Sequence, residues 1–185
     1  MAVNNSCNEV PTLASTANQV TATLSGTQYT LSLPVAVTTS TQPLFHASLI
    51  NNVSGATGDA TVYTVLFDNV LFDQNSNYTA GSGTFTAPVT GKYIFSVGCE
   101  YNNGGTESVN VLNLVTTGRT YQLASTATSG GLSLSYTFSA IIAMTVGDTA
   151  NFTIQAVGSV SKTTTVIGFS TPSRDCTFFS AALLV

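Results

Sequence analysis

The chain has 185 residues, 8 of them acidic and 4 basic, for a formal net charge of −4. Only 6% of its side chains are charged, against roughly 25% in an average soluble domain, while 43% are apolar and the mean hydropathy is +0.30. This balance excludes disorder, which needs low hydrophobicity with high charge, and four scattered cations supply neither a stripe for nucleic acid nor a polybasic membrane anchor.

The first 43 residues are short on aromatics and rich in Thr, Ser and Ala. Their opening, MAVNNSCNEVP, has no basic stretch leading into an apolar one, so no secretory signal peptide is expected. A small strand pair is expected in Gln19–Leu24 and Gln28–Leu33, around Ser25-Gly26-Thr27. Pro34 and Pro43 punctuate the segment, and an aromatic-rich alternation starts at Leu44-Phe45. The expected division is therefore a shaft or linker over 1–43 and a globular head over 44–185.

Within the head, runs of Val, Ile, Thr, Tyr and Phe at period two predict strands over Thr61–Phe67, Gly91–Tyr101, Glu107–Thr116, Gly131–Met144, Thr149–Val157 and Cys176–Leu184. Between them lie turn clusters at 51–59, 73–83, 102–105 and 146–148. The longest apolar run, Phe138–Val146, is half of the roughly 18 residues a membrane span needs. No amphipathic helix of useful length is found, and many short strands at close spacing predict an all-β sandwich or jelly roll. Cys7, Cys99 and Cys176 include no C-x-x-C pair and are read as free thiols, with a Cys99–Cys176 bridge or an interchain bond at Cys7 as alternatives.

One stretch is more specific. Phe67, Asp73, Tyr78, Phe85, Gly91, Tyr93 and Phe95 stand at the spacing of the signature of the complement C-one-q globular head and its tumour necrosis factor relatives, which the chain resembles over about residues 44–185. The last aromatic of that signature is replaced by Val97. The run from Phe45-His46-Ala47, the turn Val146-Gly147-Asp148 and the ending Thr177–Leu184 are similar to the family's first strand, penultimate turn and closing strand. Gly91, after Pro88-Val89-Thr90, is read as the residue that lets the chain turn tightly into its strand.

The resemblance implies a ten-stranded antiparallel jelly-roll sandwich that assembles as a homotrimer through apolar strand faces. Such a face would absorb the surplus apolar surface. Residues expected on it are Ile94, Tyr136, Phe138, Phe178 and Phe179. The N-terminal segment, through Ala17–Thr21 and Tyr29–Pro34, resembles a short piece of phage and microbial fibre shafts.

Catalysis is not expected. His46 is the single histidine, and no G-x-S-x-G or H-E-x-x-H motif accompanies it. A Cys-His arrangement would need Cys99 or Cys176 beside it. Asp59, Asp68 and Asp73 fall near loops, and Asp73, followed by Gln74–Asn77, is the one calcium candidate, set against a reading in which it caps its own turn. No cofactor is expected. Two functions remain: a trimeric fibre head on a virion or extracellular surface, attaching to a cell-surface carbohydrate or protein through apical loops, or a purely structural trimerisation module with no ligand. The loops 51–59, 74–83, 102–106 and 125–131 are the candidates for contact, with Asn52, Asn75, Asn77, Tyr101, Asn102 and Asn103 as their contact residues.

Overall fold

The computed structural model describes residues 21–25, 28–32, 42–127, 131–169 and 175–184. The chain divides between Thr41 and Gln42 into two units, each described by itself. In the first, β1 (Thr21–Ser25) and β2 (Gln28–Ser32) pair antiparallel, with Thr21 opposite Ser32 and Ser25 opposite Gln28.

The second unit is all β among its described residues and forms two antiparallel sheets. Its strands are β3 (Leu44–Ser48), β4 (Val53–Thr57), β5 (Val62–Thr64), β6 (Asn69–Gln74), β7 (Tyr78–Thr79), β8 (Thr84–Thr86), β9 (Gly91–Asn102), β10 (Val109–Thr116), β11 (Thr120–Ala127), β12 (Ser133–Met144), β13 (Thr149–Val157), β14 (Thr164–Val166) and β15 (Phe178–Leu184). This is more pieces than the ten expected, because turns cut the sheet margins into segments of two or three residues. Asn75 and Ser76, both at positive φ, break the run between β6 and β7.

One long strand organises each sheet. β12 lies along the whole of β9, Ile141 opposite Ile94, while the other side of β9 is shared between β15 and β14. β15 leads on to β3 and β6, and β14 to β4. In the second sheet β13 carries β10 and then β11 on one side, and on the other β5 and β8, with β7 beyond β8.

The alternation of β9 decides which side chains make the core. Tyr93, Phe95, Val97, Cys99 and Tyr101 point between the sheets and are buried, while Lys92, Ile94 and Ser96 face the other way. They join a ring stack centred on Phe45, whose centroid lies 4.7 Å from Tyr78, 5.2 Å from Phe85 and 5.1 Å from Phe179. Each such side chain contributes on the order of 1.5–3 kcal/mol by leaving water. The signature aromatics Phe67, Tyr78, Phe85, Tyr93 and Phe95 all belong to this core.

Gly91 has a different reason from the one expected: its φ is not in the left-handed region, but a Cβ there would lie 2.5 Å from the Leu183 side chain. Cys99 and Cys176 are free thiols, and burial first, then Cys176 and Glu100, push the Cys99 thiol up. Cys7 lies outside the described residues. Among the described residues no helix is long and apolar enough to cross a membrane.

Candidate functional site

The strand registers give the head two ends. The chain comes in at Gln42–Pro43, held to β15 by Leu183 N–H on Pro43 O (3.0 Å) and Gln42 Nε2 on Leu183 O (2.5 Å). At this basal end lie the turns at 75–77, 88–90 and 145–148, with Gly147 N–H bonded to Ala87 O and Val146 N–H to Thr90 Oγ1. At the opposite, apical end, the connections at 58–61, 103–108 and 158–163 come together, whereas 49–52 and 167–169 meet each other lower on the flank, where Ile167 N–H bonds Glu100 O and Phe169 N–H bonds Leu49 O. The 58–59 end of candidate loop 51–59 therefore shares the apex with 102–106, and Gly131 sits beside Asn103 and Gly105 there. The 74–83 loop, with Asn75 and Asn77, begins at the base and does not belong to that surface. Asn77 spends its amide on Gln74 O (2.8 Å).

The apex is built from backbone laid against backbone. Gly58 and Gly158 have φ of 143° and 119°, and a Cβ on either would meet a neighbouring backbone atom within 3 Å. Beneath the apical loops sits Glu107, 2% exposed. Its Oε1 accepts from Gly104 N–H (3.0 Å) and from the hydroxyls of Thr163 and Thr164, and its Oε2 accepts from Gly105 N–H (2.9 Å) and Thr106 N–H (3.1 Å). Burial alone would raise the Glu107 pKa. The Thr163 hydroxyl and the amides of Gly104, Glu107 itself and Gly105 outweigh it and bring the value down to about 2. One carboxylate thus pins two apical loops together. In the sequence Glu107 reads as the start of a strand; the signal for its role is the glycine pair Gly104-Gly105, which lets the chain fold back over the carboxylate.

The contact residues expected at the apex divide. Asn52 and Asn102 are exposed, whereas Tyr101 and Asn103 are buried. Tyr101 is thereby corrected from a ligand-loop residue to a core residue, because β9 runs one residue beyond it and keeps its ring between the sheets.

The outward face of the first sheet carries rows of paired residues. Ile141, Ile94, Ala182 and Leu44 face one another across β12, β9, β15 and β3. The next row runs Ser139, Ser96, Ser180, His46 and Phe72. Ile141 is 62% exposed, and Ile94, Leu184 and Phe72 are exposed as well. Of the residues expected on this face, Ile94 and Phe178 lie on it. Phe179 does not: it is 0% exposed, stacked on Phe95 inside the protomer. Tyr136 and Phe138 also point to the inner side, where they stack at 5.8 Å, with Tyr101 6.2 Å from Tyr136 and Thr126 Oγ1 2.8 Å from the Tyr136 hydroxyl. In β15 the side chains alternate, so of two adjacent phenylalanines only one can face outward.

A polar line crosses the same face. His46 Nδ1 is 2.5 Å from Ser180 Oγ and its Nε2 is 3.5 Å from Asp175 Oδ2, with the Phe72 and Phe178 rings 5.7 and 5.6 Å away. The order matches a nucleophile, a base and an orienting acid, a grouping invisible in a sequence where His46 and Ser180 stand 134 residues apart. Ser180, however, sits in the middle of β15 between β9 and β3, so the N–H groups around it are committed to the ladders and supply no oxyanion hole.

The carboxylates near loops are also engaged locally. Asp73 accepts from Asn77 N–H (3.0 Å) and Tyr78 N–H (2.9 Å), Asp59 from Thr61 N–H (3.1 Å) and Asp68 from Ile50 N–H (3.0 Å). Asp73 is a turn cap, and no group of three acidic, His or Cys side chains able to hold a metal is found among the described residues.

This two-sheet sandwich, closed by β3 and β15 side by side, is a jelly roll of the C1q and tumour necrosis factor type. The globular domain of zebrafish complement 1qA protein is similar to it with a TM-score of 0.56 and 21% identity, over 78% of this chain and 98% of that one. Murine APRIL, in its crystal structure at pH 5.0, is similar with a TM-score of 0.51 and 16% identity, over 77% of this chain and 99% of that one. No curated protein matches the chain. The C1q domain family matches residues 45–171, more than half of the sequence, and the chain belongs to that family.

Proposed function

We propose that this chain is the non-enzymatic head of a fibre-like protein, acting outside the cell or on a virion surface. Residues 44–185 assemble as a homotrimer, residues 1–43 form the shaft or linker leading into it, and the apical loops attach to a cell-surface carbohydrate or protein. The observation that carries this reading is the exposed row Ile141–Ile94 on the outward sheet face, in a chain with so few charges to keep such a face in water. Attachment is supported by the position of the apex, at the end opposite the one where the chain comes in. Three copies would raise a weak affinity per site through multivalency.

Sedimentation equilibrium is expected to give a trimer, and Ile141→Asp with Ile94→Asp to give a folded monomer near 19.1 kDa. A wild-type monomer would overturn the assembly. The structural reading, a trimerisation module with no ligand, is favoured by the same apolar row and needs nothing of the apex. Deleting residues 44–185 separates the two: fibres that fail to assemble favour the module, and fibres that assemble but do not attach favour the attachment head.

A further inference from the structure

We infer that the cleft between residues 50–52 and 167–169, on the flank of the first sheet beside Glu100, is a binding site for a neutral saccharide, an inference that rests on the attachment reading through its candidate residue Asn52 and names its ligand class. The cleft has a volume of about 550 Å³ and is lined by Ile50, Asn51, Asn52, Ile167, Gly168 and Phe169. That size suits a small ligand.

Its chemistry is that of one apolar wall and an amide rim. Ile50, Ile167 and the Phe169 ring offer a surface for the C–H face of a pyranose. The exposed side chains of Asn51 and Asn52 offer donors and an acceptor for ring hydroxyls. Asn52 is held in one orientation because its Oδ1 accepts from Gly168 N–H at 2.9 Å, which leaves Nδ2 as the donor facing outward from that bond. The walls are fixed: a Cβ at Gly168 would come within 2.6–2.7 Å of the Asn51 backbone, so the two connections touch there without a side chain between them. A site that is already formed gives up less freedom on binding.

Other ligand classes fit less well. None of the described lining residues is charged, and Asp68, the carboxylate beside Ile50, is turned to the Ile50 N–H. An anion or cation would therefore meet no counter-charge among the described lining residues. An extended peptide adding itself to the cleft edge would need unpaired backbone groups. The N–H groups of Ile167, Gly168 and Phe169 are already bonded to Glu100 O, Asn52 Oδ1 and Leu49 O.

The test is a titration of the ¹⁵N-labelled full chain with glucose, galactose, mannose and N-acetylglucosamine, each carried into the millimolar range. At least one sugar is expected to shift the amides of residues 50–52 and 167–169 selectively. Asn51→Ala, an exposed change that keeps the fold, should weaken binding by up to about tenfold. Phe169→Leu, which keeps the apolar volume and removes the ring, should weaken it as well. No shift with any of the four, shifts confined to other loops, or equal binding by Asn51→Ala overturns the site. Cell attachment by the full chain that Asn51→Ala leaves intact overturns the cleft and spares the attachment reading. Selective sugar binding in a chain that attaches to no cell or glycan surface supports the cleft and overturns the attachment reading.

Discussion

The core and the apex of the head are held by different materials. Between the sheets, side chains do the work: Phe45, Tyr78, Phe85, Phe95 and Phe179 stack on one another, and the one hydroxyl among them, on Tyr78, donates to Phe67 O. At the apex, the Gly104, Gly105 and Thr106 N–H groups fold back onto the Glu107 carboxylate of their own loop, and the Thr163 and Thr164 hydroxyls tie the neighbouring segment to the same carboxylate. A packed ring core tolerates salt and acid, since nothing in it titrates at ordinary pH. A surface ordered by one buried anion depends on that anion keeping its charge.

The difference can be broken from either side. The largest effect is expected from Phe179→Ala, which removes the ring shared by Phe45, Phe67 and Phe95 and should cost about 3–5 kcal/mol of unfolding free energy in a urea titration. Loss below about 1 kcal/mol would mean that the stack is not the centre of stability.

Glu107→Gln should cost somewhat less, about 2–3 kcal/mol, because the amide cannot accept all the bonds that the carboxylate takes. It should also change the acid response. The carboxyl falls from its ordinary 4.5 to about 2 on folding, so its contribution is complete above pH 4.5 and is lost as the pH drops toward 2. By linkage this amounts to at most about 3 kcal/mol. Wild type should lose that stability across the window while Glu107→Gln loses little more there; parallel acid curves would remove Glu107 from its place at the apex. Amide exchange gives a second readout, with faster exchange expected at Gly104, Gly105 and Thr106.

A smaller effect is expected on the outward face. A Cβ at Gly98 would lie 2.3 Å from the Phe178 ring, so Gly98→Ala must swing that ring away, at about 1–2 kcal/mol by calorimetry. Unchanged stability would indicate that Phe178 moves freely.

The smallest is a protection effect with no energetic cost. After brief alkylation and peptide mapping, Cys99 should remain unmodified until the head unfolds, since burial disfavours its thiolate, while the partly exposed Cys176 reacts first. Early labelling of Cys99 would show that the core opens locally.

The core was legible in the sequence because it is made by local alternation and a spaced set of aromatics. Phe67, Phe85, Tyr93 and Phe95 occupy the places that their period-two positions and signature spacing imply, and Asp73 caps the turn that its Asn-rich neighbourhood suggests. The candidate site was only partly legible. Period two says that neighbours face opposite ways without saying which way is in, so the expectation that Tyr136, Phe138 and Phe179 face outward fails: they point between the sheets. Strands poor in apolar residues were missed. β4 lies inside a turn-rich stretch and stays in its sheet through pairing with β14, a contact made more than 100 residues away. The cleft of Ile50–Asn52 with Ile167–Phe169 depends on the same distant pairing.

By itself, the sequence determined an all-β domain with an aromatic core, since burial of regularly spaced rings dictates strands wherever the partners come from, and its signature spacing resembles the C1q family to which the chain belongs. Tertiary structure alone decided which face of each strand is covered. It also decided that Glu107 orders the apex, that His46 meets Ser180 and Asp175, and that two asparagines and a phenylalanine share one cleft. These are contacts between loops far apart in the chain. Only the closing of two sheets on each other fixes the distances between them.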